Sequence, residues 1–171
     1  MHRRQPLPRL WLMTDERQGE GLWEALERLP RGSGIVFRHY SLPLAARKAL
    51  FRKVKEVARR RRLLILAAGA QALGADGTHG HRRTQRGRLL SAPVHHLREI
   101  RAAERAGADL LFLSPVFPTR SHPGARILGR MRFALLARQT RLPVIALGGM
   151  NERRARGLQN AYGWAAIDAW T

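Results

Sequence analysis

The feature that most constrains this chain is an alternation, repeated along its length, between short apolar runs and longer amphipathic stretches. Short apolar runs bounded by turn residues read as buried strands; apolar residues spaced three and four apart read as one face of a helix. Residues 8–15, 34–40, 63–68, 89–94, 108–116, 142–147 and 163–169 are runs of the first kind, and 74–79 form a shorter, weaker one. Residues 22–29, 43–62, 96–106, 130–140 and 152–161 are of the second kind. The helix over 43–62 is expected to turn Leu44, Ala45, Leu50, Val54 and Val57 inward. Its last turn holds Arg59 to Arg62, where cations complement the helix dipole. Gly107 is placed to stop one helix and Asn151 to cap another.

Strands alternating with helices predict an α/β protein with a parallel sheet, and eight of them match a (β/α)₈ TIM barrel. The chain of 171 residues is expected to form a single barrel domain over 1–171. Such barrels typically have about 250 residues, so this one is compact, with short or missing helices after the third, fourth and eighth strands. An open doubly wound sheet fits less well, because no Gly-x-Gly-x-x-Gly turn follows the first strand. Barrel wall left bare by missing helices predicts a partner, most simply a second copy in a homo-oligomer such as a dimer.

Composition narrows the setting. The chain has no cysteine, which excludes disulfides and thiolate metal sites and fits a cytoplasmic protein. No apolar run approaches the roughly 18 residues of a membrane span, and the basic start has no signal-peptide core. The net charge of +20 favours anionic partners. Arginine supplies nearly all of it, spread along the chain instead of gathered in one arm, and aromatic residues make up only 6%. The expected outcome is a solvated arginine-rich surface, with neither nucleic acid nor a membrane as partner.

Chemistry in these barrels sits at the C-terminal ends of the strands, with phosphate held by the loops after the seventh and eighth. That rule selects Asp15, Arg38, Tyr40, Asp76, His79, His95, Thr119, Ser121, His122, Gly148, Gly149 and Asp168. Gly148-Gly149 before a helix start suits close approach of an anion to backbone N–H groups; the same pair also suits a tight turn with positive φ. Arg38 has the fork geometry to clamp a phosphate, or it is a surface arginine. The histidines are acid–base candidates or structural groups. No spacing of His, Asp and Glu forms a metal cage, so no metal ligand is assigned.

Several segments then carry a resemblance. Gly107-Ala108-Asp109 leading to Ser114-Pro115-Val116-Phe117-Pro118-Thr119, and Pro143 to Met150, resemble the thiamine phosphate synthase family, which includes a thiazole tautomerase branch. Ala75-Asp76-Gly77-Thr78-His79 and Pro93-Val94-His95 are similar to two further landmarks in the same order. The resemblance implies a barrel that joins a hydroxymethylpyrimidine pyrophosphate to a thiazole phosphate, with magnesium on the pyrophosphate. It implies catalytic roles for Arg38, Ser121 and His122, and substrate contacts from Thr119, Gly148, Gly149, Asp76 and His95. The chain departs from the family where magnesium carboxylates are expected: 67–70 and 81–84 contain no acid. Asp168 stands where the family has a serine facing phosphate, and Pro115 where the tautomerase branch has its histidine.

Two functions follow as expectations. One is a thiamine phosphate synthase-like transferase of thiamine biosynthesis. The other is a catalytically degenerate barrel that binds a thiamine precursor, or another phosphorylated small molecule, in a regulatory role.

Overall fold

The computed structural model describes residues 6–69, 71, 73–82, 87–120, 124 and 126–170. Eight parallel strands close on themselves in sequence order: β1 (Leu10–Met13), β2 (Gly34–Phe37), β3 (Leu64–Ala68), β4 (Gly77–His79), β5 (Leu89–Val94), β6 (Leu110–Leu113), β7 (Val144–Ala146) and β8 (Gly163–Ala166). The seam is the pairing of Leu10 with Trp164 and of Leu12 with Ala166. Five α-helices lie among the described residues: α1 (Gly21–Arg28), α2 (Leu44–Arg61), α3 (Leu97–Arg105), α4 (Gly129–Ala137) and α5 (Glu152–Ala155). This is a (β/α)₈ barrel. No helix follows β3 or β4 among the described residues, as the sequence predicts.

Alternation along each strand divides the core into an interior and an outer shell. Trp11, Met13, Val36, Leu66, Leu110, Phe112 and Ile145 point inward. Trp11 fills the centre, meeting Phe112 edge to face at 5.3 Å between ring centroids. Its size dictates the residue opposite, because a Cβ on Gly34 would lie 2.2 Å from the indole. Outside, Leu12, Ile35 and Phe37 pack under α1 and α2, while Leu111, Leu113 and Val144 meet Ile100 of α3 and Phe133 of α4.

Three local expectations are corrected. The buried stripe of α2 is Arg47, Phe51, Val54 and Ala58, whereas Leu44 and Ala45 are exposed. The helix predicted over 152–161 stops at Ala155, with Gly157 just beyond it and Asn160 at φ 61°. The wall beside β4 is not bare, since Ala67, Ala75 and Thr78 are all buried. Large exposed apolar side chains stand elsewhere, with Met131 and Leu135 a turn apart on α4. The arginine run ending α2 is structural: Arg60 and Arg61 pair with Glu27 of α1. Among the described residues no helix is long and apolar enough to cross a membrane.

Candidate active site

A cavity of about 420 Å³ opens at the C-terminal ends of the strands, lined in part by Arg38, His95, Thr119, Arg120, Gly148 and Arg154.

Arg38 follows β2. Its Nε donates to the Thr14 carbonyl at 2.9 Å, and one terminal nitrogen donates to Oδ2 of Asp15. The fully buried Thr14 hydroxyl accepts from the Arg38 backbone N–H at 3.0 Å and lies 3.0 Å from Nδ1 of His39. Burial opposes ionisation of Asp15, but hydrogen bonds from Arg17 and the charge of Arg38 outweigh it and lower its pKa. Beneath lies Arg47, 2% exposed. Its guanidinium donates to the carbonyls of Arg38 and Ala68 and to Gln71 Oε1, and lies 5.6 Å from the centre of the Phe37 ring. Its acceptors are all uncharged. Sequence reasoning missed Arg47, although a signal exists: it occupies an apolar position, four residues before Phe51 and seven before Val54.

Across the mouth, the chain after β6 is tied to the chain after β7. Val116 N–H donates to Leu147 O, and Phe117 N–H to Gly148 O. This close approach explains the two glycines. A Cβ on Gly148 would lie 2.8 Å from Pro115, and one on Gly149 would lie 2.4 Å from Pro118 O. Both adopt positive φ, 95° and 59°, which disfavours any larger residue. The tight-turn reading therefore holds, and the pair also lines the cavity. Four-residue α5 is too short to supply a helix-dipole anion site; Arg154 supplies charge instead. That arginine donates to Gly149 O, and its guanidinium lies 4.9 Å from the centre of the Phe117 ring. Among the described residues it has no carboxylate partner, and sequence reasoning did not single it out. Asp168 also lines the cavity, with Arg120 bonded to it at 2.9 Å.

The other expected residues divide. Thr119 and His95 line the cavity, and His95 Nδ1 lies 3.0 Å from Glu99 Oε2. Asp76 lies at the opposite end, before β4, where its carboxylate accepts from Ile65 N–H at 2.9 Å. Asp109 does the same for Leu90 N–H before β6, at 2.8 Å. Both carboxylates anchor strand starts, and Asp76 is not brought to the mouth. Ser121 and His122 lie outside the described residues. His79, at the end of β4, is buried against Ser91 Oγ at 2.9 Å and the edge of Phe112, and burial lowers its pKa to about 3. It is a neutral core group.

The donor set does not fit magnesium, which takes oxygen ligands, carboxylates foremost. All 12 acidic side chains of the sequence lie among the described residues. No three His, Cys, Asp or Glu side chains among those residues gather as a metal site. Asp168, in the cavity lining, pairs with Arg120; Asp15 pairs with Arg17 and Arg38, and Glu99 lies against His95.

Fold and site together define a (β/α)₈ barrel with a cationic mouth suited to phosphorylated ligands. The thiamine monophosphate synthase family model matches residues 10–169, and the chain belongs to that family. It is 31% identical to the putative thiamine-phosphate synthase 2 of Aquifex aeolicus, over 94% of this chain and 96% of that protein. The structure of the thiamine phosphate pyrophosphorylase of Pyrococcus furiosus superposes with a TM-score of 0.79 at 26% identity, over 95% of this chain and 86% of that one. The 2-keto-3-deoxy-6-phosphogluconate aldolase of Zymomonas mobilis shares the fold, at a TM-score of 0.62 and 14% identity.

Proposed function

We propose that this protein is a thiamine phosphate synthase-like transferase, joining a hydroxymethylpyrimidine pyrophosphate to a thiazole phosphate with release of pyrophosphate. The observation that carries this reading is the cavity whose opposite sides present Arg38 and the Gly148-Gly149 turn with Arg154. The bond from the pyrimidine methylene to oxygen breaks, and pyrophosphate leaves with the electron pair. The thiazole nitrogen donates its lone pair to the resulting carbocation, so no proton need move. Arg38, with Ser121 or His122, meets the charge that develops on the leaving pyrophosphate. Gly148, Gly149 and Arg154 receive the thiazole phosphate, and Thr119 and His95 line the space between. Asp76 has no part, because its carboxylate is bonded at the other end of the barrel. The second copy expected from the sequence belongs to this reading, and light scattering tests it.

Incubating the purified chain with both substrates and separating the products by chromatography tests the reaction; no thiamine phosphate, with or without magnesium, overturns it. The binding-only alternative is favoured by one observation, the carboxylate of Asp168 in the cavity wall. Calorimetric binding of both precursors without turnover would establish that reading instead.

A further inference from the structure

The cations at this mouth are fixed parts of the chain, and they are placed where a divalent cation would be repelled. Arg38 lines the cavity. Arg47 lies directly behind it, donating to the Arg38 carbonyl at 3.0 Å. The two nitrogens of Arg47 border the end of β3, 3.7 and 3.8 Å from where a Gly69 Cβ would lie. Burial lowers the pKa of Arg47 and Glu16 opposes that shift, but the guanidinium is hydrogen-bonded only to neutral oxygens, and the low-dielectric surroundings extend its field. A dication entering here would face that field, with Asp15 already serving two arginines and Glu16, the other acid nearby among the described residues, accepting from Ser41 N–H. An anion meets the reverse situation: planar N–H donors, and behind them a positive charge whose hydrogen bonds all go to neutral oxygens.

We propose that the mouth binds pyrophosphate through resident guanidinium groups, without a divalent cation, Arg38 touching the anion and Arg47 setting the positive field behind it. The proposal rests on the reading of this cavity as the site of a pyrophosphate-releasing transferase. It deepens that reading by naming what neutralises the leaving group. Arg38 donates from Nε and one terminal nitrogen to protein oxygens, which leaves N–H groups of the same plane to receive the anion.

Calorimetry of the full wild-type chain with inorganic pyrophosphate is the test, in buffer with excess EDTA and again with excess magnesium chloride. Affinities agreeing within about threefold are expected, with about a tenfold loss in EDTA for Arg38→Gln, the effect of deleting one charge-assisted hydrogen bond. Arg38→Gln replaces a side chain at the cavity wall, and wild type alone supplies the metal comparison. Tightening by magnesium beyond about threefold overturns the inference, while the transferase reading stands. Undiminished binding by Arg38→Gln overturns it as well. Should pyrophosphate fail to bind in both buffers, the inference falls, and turnover with the two organic substrates decides the proposed reaction separately.

Discussion

Asp15 and Arg38 meet across the ends of the first two strands, the Asp15 carboxylate accepting from an Arg38 guanidinium that also donates to the Thr14 carbonyl. Fixing both the charge and the plane of Arg38 is what a site needs before an anion arrives. Asp15→Asn keeps the shape and removes the charge. The pair is largely shielded, with the Asp15 side chain 14% and the Arg38 side chain 20% exposed, so the expected stability loss is about 1–2 kcal/mol. If the pair positions Arg38, pyrophosphate affinity falls in the variant although no residue touching the anion has changed. The lowered pKa of Asp15 also sets a sign. Its contribution is present above the ordinary aspartate value of 3.8 and is lost as pH falls through the lower folded value. Urea midpoints of wild type and Asp15→Asn should therefore converge on acidification.

His79 carries a second pH effect, through a different mechanism. Burial lowers its pKa from 6.5 to about 3, so the unfolded chain takes up a proton that the folded chain refuses. Stability from this group is complete above pH 6.5 and declines as pH falls toward 3, with a limiting slope of about 1.4 kcal/mol per pH unit. His79→Gln should flatten that slope between pH 6.5 and 4.5, within the window that the shift defines. Equal slopes in urea titrations of the two proteins would refute the assignment.

The Gly149 backbone gives a sharper geometric test. Alanine there combines φ of 59° with a Cβ 2.4 Å from Pro118 O. Left-handed strain alone costs about 1–3 kcal/mol, and the contact adds to it by forcing apart the chain segments after β6 and β7. Gly149→Ala should lower the melting temperature markedly and weaken inorganic phosphate binding together. Gly32→Ala, also at positive φ but with nothing within 4 Å of the added Cβ, should cost only the strain.

How much of this was legible beforehand depended on whether residues act through their neighbours in sequence or across space. Each strand could be read because a buried parallel strand is a continuous apolar run, as in Leu110–Leu113. Family landmarks brought Arg38, Thr119, His95 and the two glycines to one cavity. Asp76 was misplaced because a carboxylate beside a strand looks the same at either end; only pairing with Ile65 N–H reveals the base of the barrel. Arg47 was overlooked because a polar residue in a helical stripe does not show which carbonyls it will reach, here those of Arg38 and Ala68 on other elements. Arg154 was hidden similarly, since its value depends on Gly149 O and the Phe117 ring.

Asp168 offers the test that best separates a working phosphate site from a disabled one. Its carboxylate lines the cavity and holds Arg120 at 2.9 Å. The two side chains are 47% and 81% exposed, so solvent screening leaves the pair little weight in folding, within about 0.5 kcal/mol. Its effect on an incoming phosphate is larger, because the carboxylate both repels the anion and occupies the arginine. Asp168→Asn removes both effects. Inorganic phosphate should then bind several-fold more tightly at unchanged melting temperature, and Asp168→Asn combined with Arg120→Gln should reverse the gain. If the single variant binds phosphate no better, Asp168 is not a brake on the site, and the observation favouring a binding-only barrel loses its force.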